Sequence, residues 1–410
     1  MKHTFTIPEN HRIIASDIFI DNNSFHTQLN NNDLIIGPSG AGKTRGYVLP
    51  NILLGNESFI VVDTKNSLCE ETGAILREKG YVIENINFSN IKKSTIGYNP
   101  FDMISYDTES GTYSQSDIMA LTKVFCPTED FNDQFWDNSA RQVLNSMISY
   151  ILEELPQEEH NMQSLLTLIS GNNMKTYERL LDELALINPT SPAVTHFSVL
   201  KNTGSAEKTY SSIVCVLSEK ILQFAYDIPL KLSVMEHRID FSTLGNKKTA
   251  IFINVSDTDR AADQIISLFY TQALQSLCHV ADESPAKRLN IPVRIILDDF
   301  AAGTLVPDFD KITSVIRSRN ISVSIILQSI SQLESGYRNS EATTIINNCD
   351  HILYLGGHDI QTINMMSLKA GKTRDTIINL PIDTALVISR GSRSRLCKKF
   401  DVSLMLHDSE

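Results

Sequence analysis

The sequence predicts an α/β protein with a mostly parallel central sheet, interrupted by an inserted all-α domain. Three observations carry this expectation. From Asp33 to Phe101 short apolar runs alternate with helical patterns; the same rhythm returns from Thr249 onward; between them strand signals fade and helical periods dominate. Such alternation argues for parallel strands joined by crossover helices. The expected boundaries are 1–102 and 246–410 for the two parts of the α/β domain and 103–245 for the insertion.

The elements follow in order. The polar run DNNSFHTQLNNND (21–33) reads as a turn or hairpin before the first core strand. DLIIG, SFIVVD and YVIENINF read as strands, with KTRGYVLPNILL and SLCEETGAILREKG as the helices between them. FWDNSARQVLNSMISYILEEL, MQSLLTLIS and MKTYERLLDELALI supply the helical insertion, and TAIFINV, VRIILDD, ISVSIILQ and HILYLG resume the strands. QIISLFYTQALQSLCHVA (264–281) is the longest uncharged stretch, but Gln, Ser, Thr and His interrupt it. Its apolar positions Ile266, Phe269, Ala273, Leu277 and Val280 recur at helical spacing, which predicts a core helix rather than a membrane span of about 20 apolar residues. The N-terminus lacks the apolar core of a secretory signal, so a cytoplasmic protein is expected.

Composition narrows the function classes. The chain has 410 residues, 36 Lys and Arg against 48 Asp and Glu, and a net charge of −12. That argues against a surface built wholly to hold nucleic acid but leaves room for a local basic channel, because a ligand responds to nearby potential. Cys69, Cys126, Cys215, Cys278, Cys349 and Cys397 are scattered, which speaks against a disulfide framework and fits a reducing compartment.

The pentapeptide AGKTR occurs twice, at 41–45 and 370–374. The first copy completes Gly37-Pro38-Ser39-Gly40-Ala41-Gly42-Lys43-Thr44, a match to G-x-x-x-x-G-K-[ST] between a strand and a helix. The glycines let backbone N–H groups turn inward as a nest for phosphate, and the helix points its positive end at the same spot. Lys43 would reach the β- and γ-phosphates and Thr44 would bind magnesium, so ATP and Mg2+ are the expected ligands. The second copy has Met366 where a loop glycine is required and follows a helical pattern, so Gly371 reads as a helix C-cap.

Hydrolysis needs acids at another strand end, and Asp298-Asp299 after RIIL supplies them. Asp298 would hold magnesium and Asp299 would orient or deprotonate the attacking water. Gln328, ending ISVSIILQ, either senses the γ-phosphate or positions water, or else is an amide satisfying backbone groups.

The stretches NNNDLIIGPSGAGKTRGYVLPNI, SFIVVDTKNSL, INFSNIKKSTIGYNPFD, FWDNSARQVLNSMISYI, ILDDFA, DFDKITSVIRSRNISVSIILQSISQLE and TTIINNCDHILYLGG together resemble the TraG/TraD-like coupling-protein ATPases of conjugation and type IV secretion. The resemblance runs from about residue 30 to 370. It implies a RecA-like P-loop NTPase domain with an inserted helical domain, a hexameric ring, and delivery of a relaxase-bound single DNA strand to a secretion channel. It also implies an arginine finger at Arg317, 19 residues after Asp298 and 11 before Gln328; the alternative is that Arg317 and Arg319 are helix-end charges. Many relatives carry Asp-Glu where this chain carries Asp298-Asp299, which motivates an alternative reading as an ATP-gated receptor with little turnover. An FtsK/HerA-type translocase shares the ATPase core but not the insertion. Typical relatives begin with transmembrane helices and none is read here; either the sequence is trimmed, or a soluble variant is recruited to the inner face of the membrane by a membrane-anchored channel or adaptor protein.

Candidate DNA contacts are Arg45, Lys201, Lys208, Lys247 and Lys248, and the run Arg390, Arg393, Arg395, Lys398 and Lys399. Most of these read as a solvated face. Trp136 reads as core, and the acidic EELPQEEH (153–160) suits a protein partner such as a relaxase.

Overall fold

The computed structural model describes residues 7–128, 134–170, 173–202, 207–256, 261–300 and 305–406. They fall into two compact units: Met1–Asn87, Asp240–Arg260 and Ala273–Glu410 form the first, Phe88–Ile239 and Ala261–Gln272 the second.

The first unit opens with a hairpin, β1 (His11–Ala15) and β2 (Ile18–Asp21), and a short helix Ser24–Thr27. The hairpin thus lies upstream of the polar run expected to hold it. The core strands are β3 (Asp33–Ile36), β4 (Ser58–Asp63) and β5 (Val82–Asn87). A small pair in the second unit, β6 (Tyr106–Asp107) and β7 (Thr112–Tyr113), intervenes in sequence. Then come β8 (Thr249–Asn254), β9 (Val293–Leu297), β10 (Ile321–Leu327), β11 (His351–Tyr354), β12 (Thr384–Ser389) and β13 (Arg395–Lys398). The sheet order is β13-β12-β11-β3-β10-β9-β4-β8-β5, antiparallel only where β12 joins β11 and β13. Every residue of β3, β4, β8, β9, β10 and β11 is buried, as expected for parallel strands covered on both faces. That two-sided burial is why these strands were legible as continuous apolar runs; the exposed edge strand β13 was not.

Under the sheet's centre lies a buried ionic network. Asp33, the first residue of β3, takes both Arg12 (2.7 and 2.9 Å) and Arg294 of β9 (3.4 Å), while Arg294 also pairs with Glu57 at 2.6 Å. Burial alone would raise the Asp33 carboxyl, but the two guanidinium groups outweigh it and hold its pKa below the usual carboxylate range. Two positive and two negative groups therefore balance where an unpaired one would be costly.

The second unit packs around the helix Phe135–Glu154, whose Ala140, Val143, Leu144, Met147, Ile148 and Ile151 are fully buried. A buried Lys220–Asp137 ion pair (2.9 Å) and edge-to-face Tyr150, Tyr177 and Phe197 rings fix neighbouring helices. Its hairpin β6–β7 makes it mainly rather than wholly helical. Its chain limits are pinned where Gly97 bonds His237 and Ile239 (2.8 and 3.0 Å). A Cβ on Gly97 would stand 2.4 Å from the Leu232 carbonyl, so only glycine fits. This pairing, which no periodicity announces, lies inside a unit that begins at Phe88, ahead of the expected 103. Trp136 is only partly buried and meets the exposed Phe135 edge-on, because the pair starts the helix rather than sitting in its packed middle.

Candidate functional site

Three strand ends build the site. Strands β9, β10 and β3 are neighbours and parallel, so their C-terminal ends open on one edge of the sheet. After β3 the ladder continues for one bond, Gly37 N–H to the Leu327 carbonyl at 3.1 Å, and the chain then turns. The glycines do different jobs. A Cβ on Gly37 would lie 3.0 Å from both Ala41 and Leu355, so its role is close approach. Gly40 and Gly42 have φ of +76° and +88°, which side chains with a Cβ rarely adopt. Pro38, Ser39 and Gly40 are exposed at the loop's rim. Thr44–Val48 then forms a π-helical turn running into the helix Leu49–Leu54, a deviation common at functional sites. Tyr47 anchors that turn from below, its hydroxyl donating to Asp33 at 2.5 Å and meeting Ser324 at 2.8 Å.

Lys43 folds back over its own loop, donating to the Gly37 and Pro38 carbonyls at 2.7 and 3.1 Å. Burial pushes its ammonium pKa down, while Asp298 and Asp299 pull the other way. Asp298 directly follows β9. Burial raises its carboxyl pKa; its bond from the Asp299 N–H (2.9 Å) and the Lys43 charge oppose the rise. The carboxylate of Asp298, half-buried at the end of β9, and the hydroxyl of Thr44, half-buried at the end of the loop, are the hard oxygen donors that magnesium takes alongside substrate phosphates. The residues fit the ion.

Asp299 sits in the left-handed region, φ +51°, an uncommon state for a residue with a Cβ. Its Oδ1 accepts from Gln328 at 3.1 Å and from Gln332 at 3.4 Å, and the Gln332 side chain also accepts the Gln328 N–H at 2.8 Å. Gln328 is therefore tied to the acid pair rather than to backbone alone. Sequence reasoning passed over Gln332; its one signal was a second amide four residues on, at the start of a helix capped by Ser329. It also passed over Asp63, which ends β4 and caps the next helix by accepting the Lys65 and Leu68 N–H groups (3.1 and 2.7 Å). Lys65 in turn lowers the Asp298 pKa.

Arg317 is not brought to this edge. It precedes β10, whose seven residues at about 3.3 Å rise put roughly 20 Å between the strand's first residue and the end that leads to Gln328. Its guanidinium donates to the Ser24 carbonyl at 3.0 Å, and Arg319 pairs with Asp282 at 2.8 and 2.9 Å. The C-terminal basic run is dispersed likewise: Arg390 meets Asp350, Arg395 meets Asp17, and Lys399 donates to the Ala41 carbonyl. Lys248 bonds the Gly55 carbonyl, while Arg45, Lys247, Arg393 and Lys398 are exposed. The side chains of Lys201 and Lys208 lie outside the described residues.

The second AGKTR builds no such loop. Gly371, φ +61°, closes the helix Ile360–Ala370, with Gly371 and Lys372 N–H groups returning to Leu368 and Ser367.

Among known proteins, the chain resembles VirD4 of Rhizobium radiobacter at 23% identity over 353 residues, 83% of this chain and 48% of that protein. VirD4 of Agrobacterium fabrum gives 22% over 352 residues, 82% of this chain and 49% of that protein. The chain thus spans about half the length of the curated relatives it matches. Among solved structures, the plasmid coupling protein TrwB in complex with ADP and Mg2+ superposes with a TM-score of 0.67 at 16% identity, covering 90% of this chain and 85% of that one. VirB4 of Thermoanaerobacter pseudethanolicus gives 0.59 at 15% identity, with 96% and 97% covered. These likenesses identify the fold as that of RecA-like P-loop NTPases. Among the described residues, no helix is long and apolar enough to cross a membrane. The family model for type IV secretory system conjugative DNA transfer matches residues 2–380, and the chain belongs to that family.

Proposed function

We propose that this chain is the ATP-hydrolysing coupling component of conjugative DNA transfer, receiving a relaxase–DNA complex and helping pass single-stranded DNA to a secretion channel. The observation that carries the reading is the convergence of the Lys43 loop, Asp298 and the Asp299–Gln328 pair on one sheet edge. ATP would lie along the 37–44 loop with its β- and γ-phosphates at Lys43. Thr44 and Asp298 would hold magnesium, which when bound neutralises phosphate charge. Asp299, oriented by two glutamines, accepts a proton from the water that attacks the γ-phosphorus. Gln328 would position that water as the bond to the β–γ bridging oxygen breaks. Arg317, far from its own loop, could serve only a neighbouring subunit's nucleotide, as a ring of copies such as a hexamer would allow; a finger in trans is worth roughly 10³–10⁵ in rate in other NTPases. Recruitment to the inner membrane face by a membrane-anchored partner completes the reading.

The test is magnesium-dependent ATP hydrolysis by wild type and Lys43→Ala, with and without single-stranded DNA and a relaxase. Wild-type turnover that DNA stimulates and Lys43→Ala abolishes is expected; equal rates would overturn the enzyme reading. One observation favours a second reading, an ATP-gated receptor with little turnover: the Asp299 carboxylate is already engaged by two amides. Tight ATP binding confined to a single turnover would establish it.

A further inference from the structure

The geometry points to Lys399 as a positioning residue of the nucleotide site, acting through the Ala41–Gly42 peptide. The inference rests on the reading of the 37–44 loop as a phosphate cradle. Lys399 lies 358 residues from the loop and beyond the 2–380 segment that the family model matches. It follows the edge strand β13, in a run that the sequence alone marks as a candidate DNA contact or a solvated face.

Its placement is specific. The Lys399 N–H bonds the Asp383 carbonyl at 3.0 Å, and the next side chain, Phe400, is buried, so the backbone beneath the stem is held. The Phe400 carbonyl in turn lies 3.7 Å from where a Cβ on Gly46 would stand, bringing this segment against the turn that follows the loop. The ammonium then donates to the Ala41 carbonyl at 2.9 Å, whereas Lys43 takes the Gly37 and Pro38 carbonyls.

A planar trans peptide puts its oxygen and its N–H on opposite sides. A cation that fixes the Ala41 oxygen therefore fixes the direction of the Gly42 N–H, which among the described residues meets no acceptor. The charge also polarises that amide, and charge-assisted hydrogen bonds are the stronger kind. Gly42 has an unusual φ of +88°, so its peptide gains little guidance from local preference. Lys399 supplies that guidance and turns one N–H of the cradle toward a phosphate oxygen before the nucleotide arrives.

The experiment uses the whole chain with Lys399→Met, which keeps the apolar stem, Lys399→Arg, which keeps a charged donor, and Lys399→Gln, which keeps a neutral one. Calorimetry with magnesium and ATP reads Kd, steady-state hydrolysis separates KM from kcat, and thermal melting without nucleotide reports the fold. Lys399→Met is expected to weaken Kd and raise KM about tenfold with kcat within about twofold, Lys399→Gln to fall between, and Lys399→Arg to stay within about threefold of wild type. Wild-type affinity in Lys399→Met would overturn the inference, as would equal losses in the Met and Arg variants, which mark a packing role. Nucleotide binding that Lys43→Ala leaves unchanged would instead overturn the reading of the loop itself.

Discussion

The two AGKTR pentapeptides share every atom of their sequence and almost nothing of their structure. In the first, glycine at position 42 takes φ +88° between a buried strand and a helix, and the lysine curls over carbonyls of its own loop. In the second, glycine at position 371 takes φ +61° after an eleven-residue helix, and its N–H and that of Lys372 close the helix on Leu368 and Ser367. The threonines diverge too: Thr44 opens a π-helical turn, whereas Thr373 caps the helix Arg374–Ile378 through the Thr376 N–H at 3.2 Å. Positive φ is common to both, so a left-handed glycine does not by itself make a phosphate site. What differs is the element in front. A strand ending among parallel neighbours delivers the loop to an edge where Asp298 and Gln328 also arrive; a helix end delivers it to a Schellman-type cap.

The sharpest way to break this contrast is to exchange effects between the copies. Lys43→Ala is expected to lower hydrolysis by about 10³-fold or more, and Lys372→Ala to leave it within about twofold, measured by phosphate release. Comparable losses would show that the second copy also serves the nucleotide. Next in size is Asp298→Asn, expected to cost about 10²–10³ in kcat. Its stability should move the other way. Burial raises the Asp298 pKa, so the protonated form's stabilising contribution is complete below the unfolded value near 3.9 and is lost as pH rises through the higher folded value. Without nucleotide, Asp298→Asn should therefore melt above wild type at pH 7 to 8, with the gap closing toward pH 4; a lower melting point at neutral pH would refute the assignment. Gln332→Leu frees Asp299 and Gln328 from their shared amide, and about a tenfold loss in kcat with little change in KM is expected from the misplaced pair. A change confined to KM would argue against an orienting role. The smallest effect belongs to the cap: Gly371→Ala should cost about 1 kcal/mol of stability, read from urea unfolding, with hydrolysis unchanged.

Much of this was legible beforehand, and the reasons are local. Strands such as β4 and β10 announce themselves because both faces are buried and, apart from Asp63 at the end of β4, every position is apolar or small. The loop at 37–44 is legible because few residues tolerate the backbone it needs, and Gly371 because a helical period stops in front of it. The hairpin β1–β2 and the antiparallel edge β12–β13 were missed, since part-exposed positions interrupt the continuous burial that marks the central strands. The C-terminal lysines and arginines were grouped as a patch by proximity in sequence, whereas in space they part company, Arg395 pairing with Asp17 and Lys399 with the Ala41 carbonyl.

The sequence by itself determined the conformations that a dozen neighbouring residues can dictate: period, caps, the glycine loop, the acid pair after a strand. Only the tertiary structure decided which of those residues meet. It brought Gln332 to Asp299, Arg294 to Glu57 and Lys399 to the phosphate loop, and it held Arg317 at the far edge of the sheet. Backbone preference acts within a few residues, whereas a hydrogen bond or an ion pair acts over a few ångströms of space, and only a folded sheet turns separations of hundreds of residues into such distances.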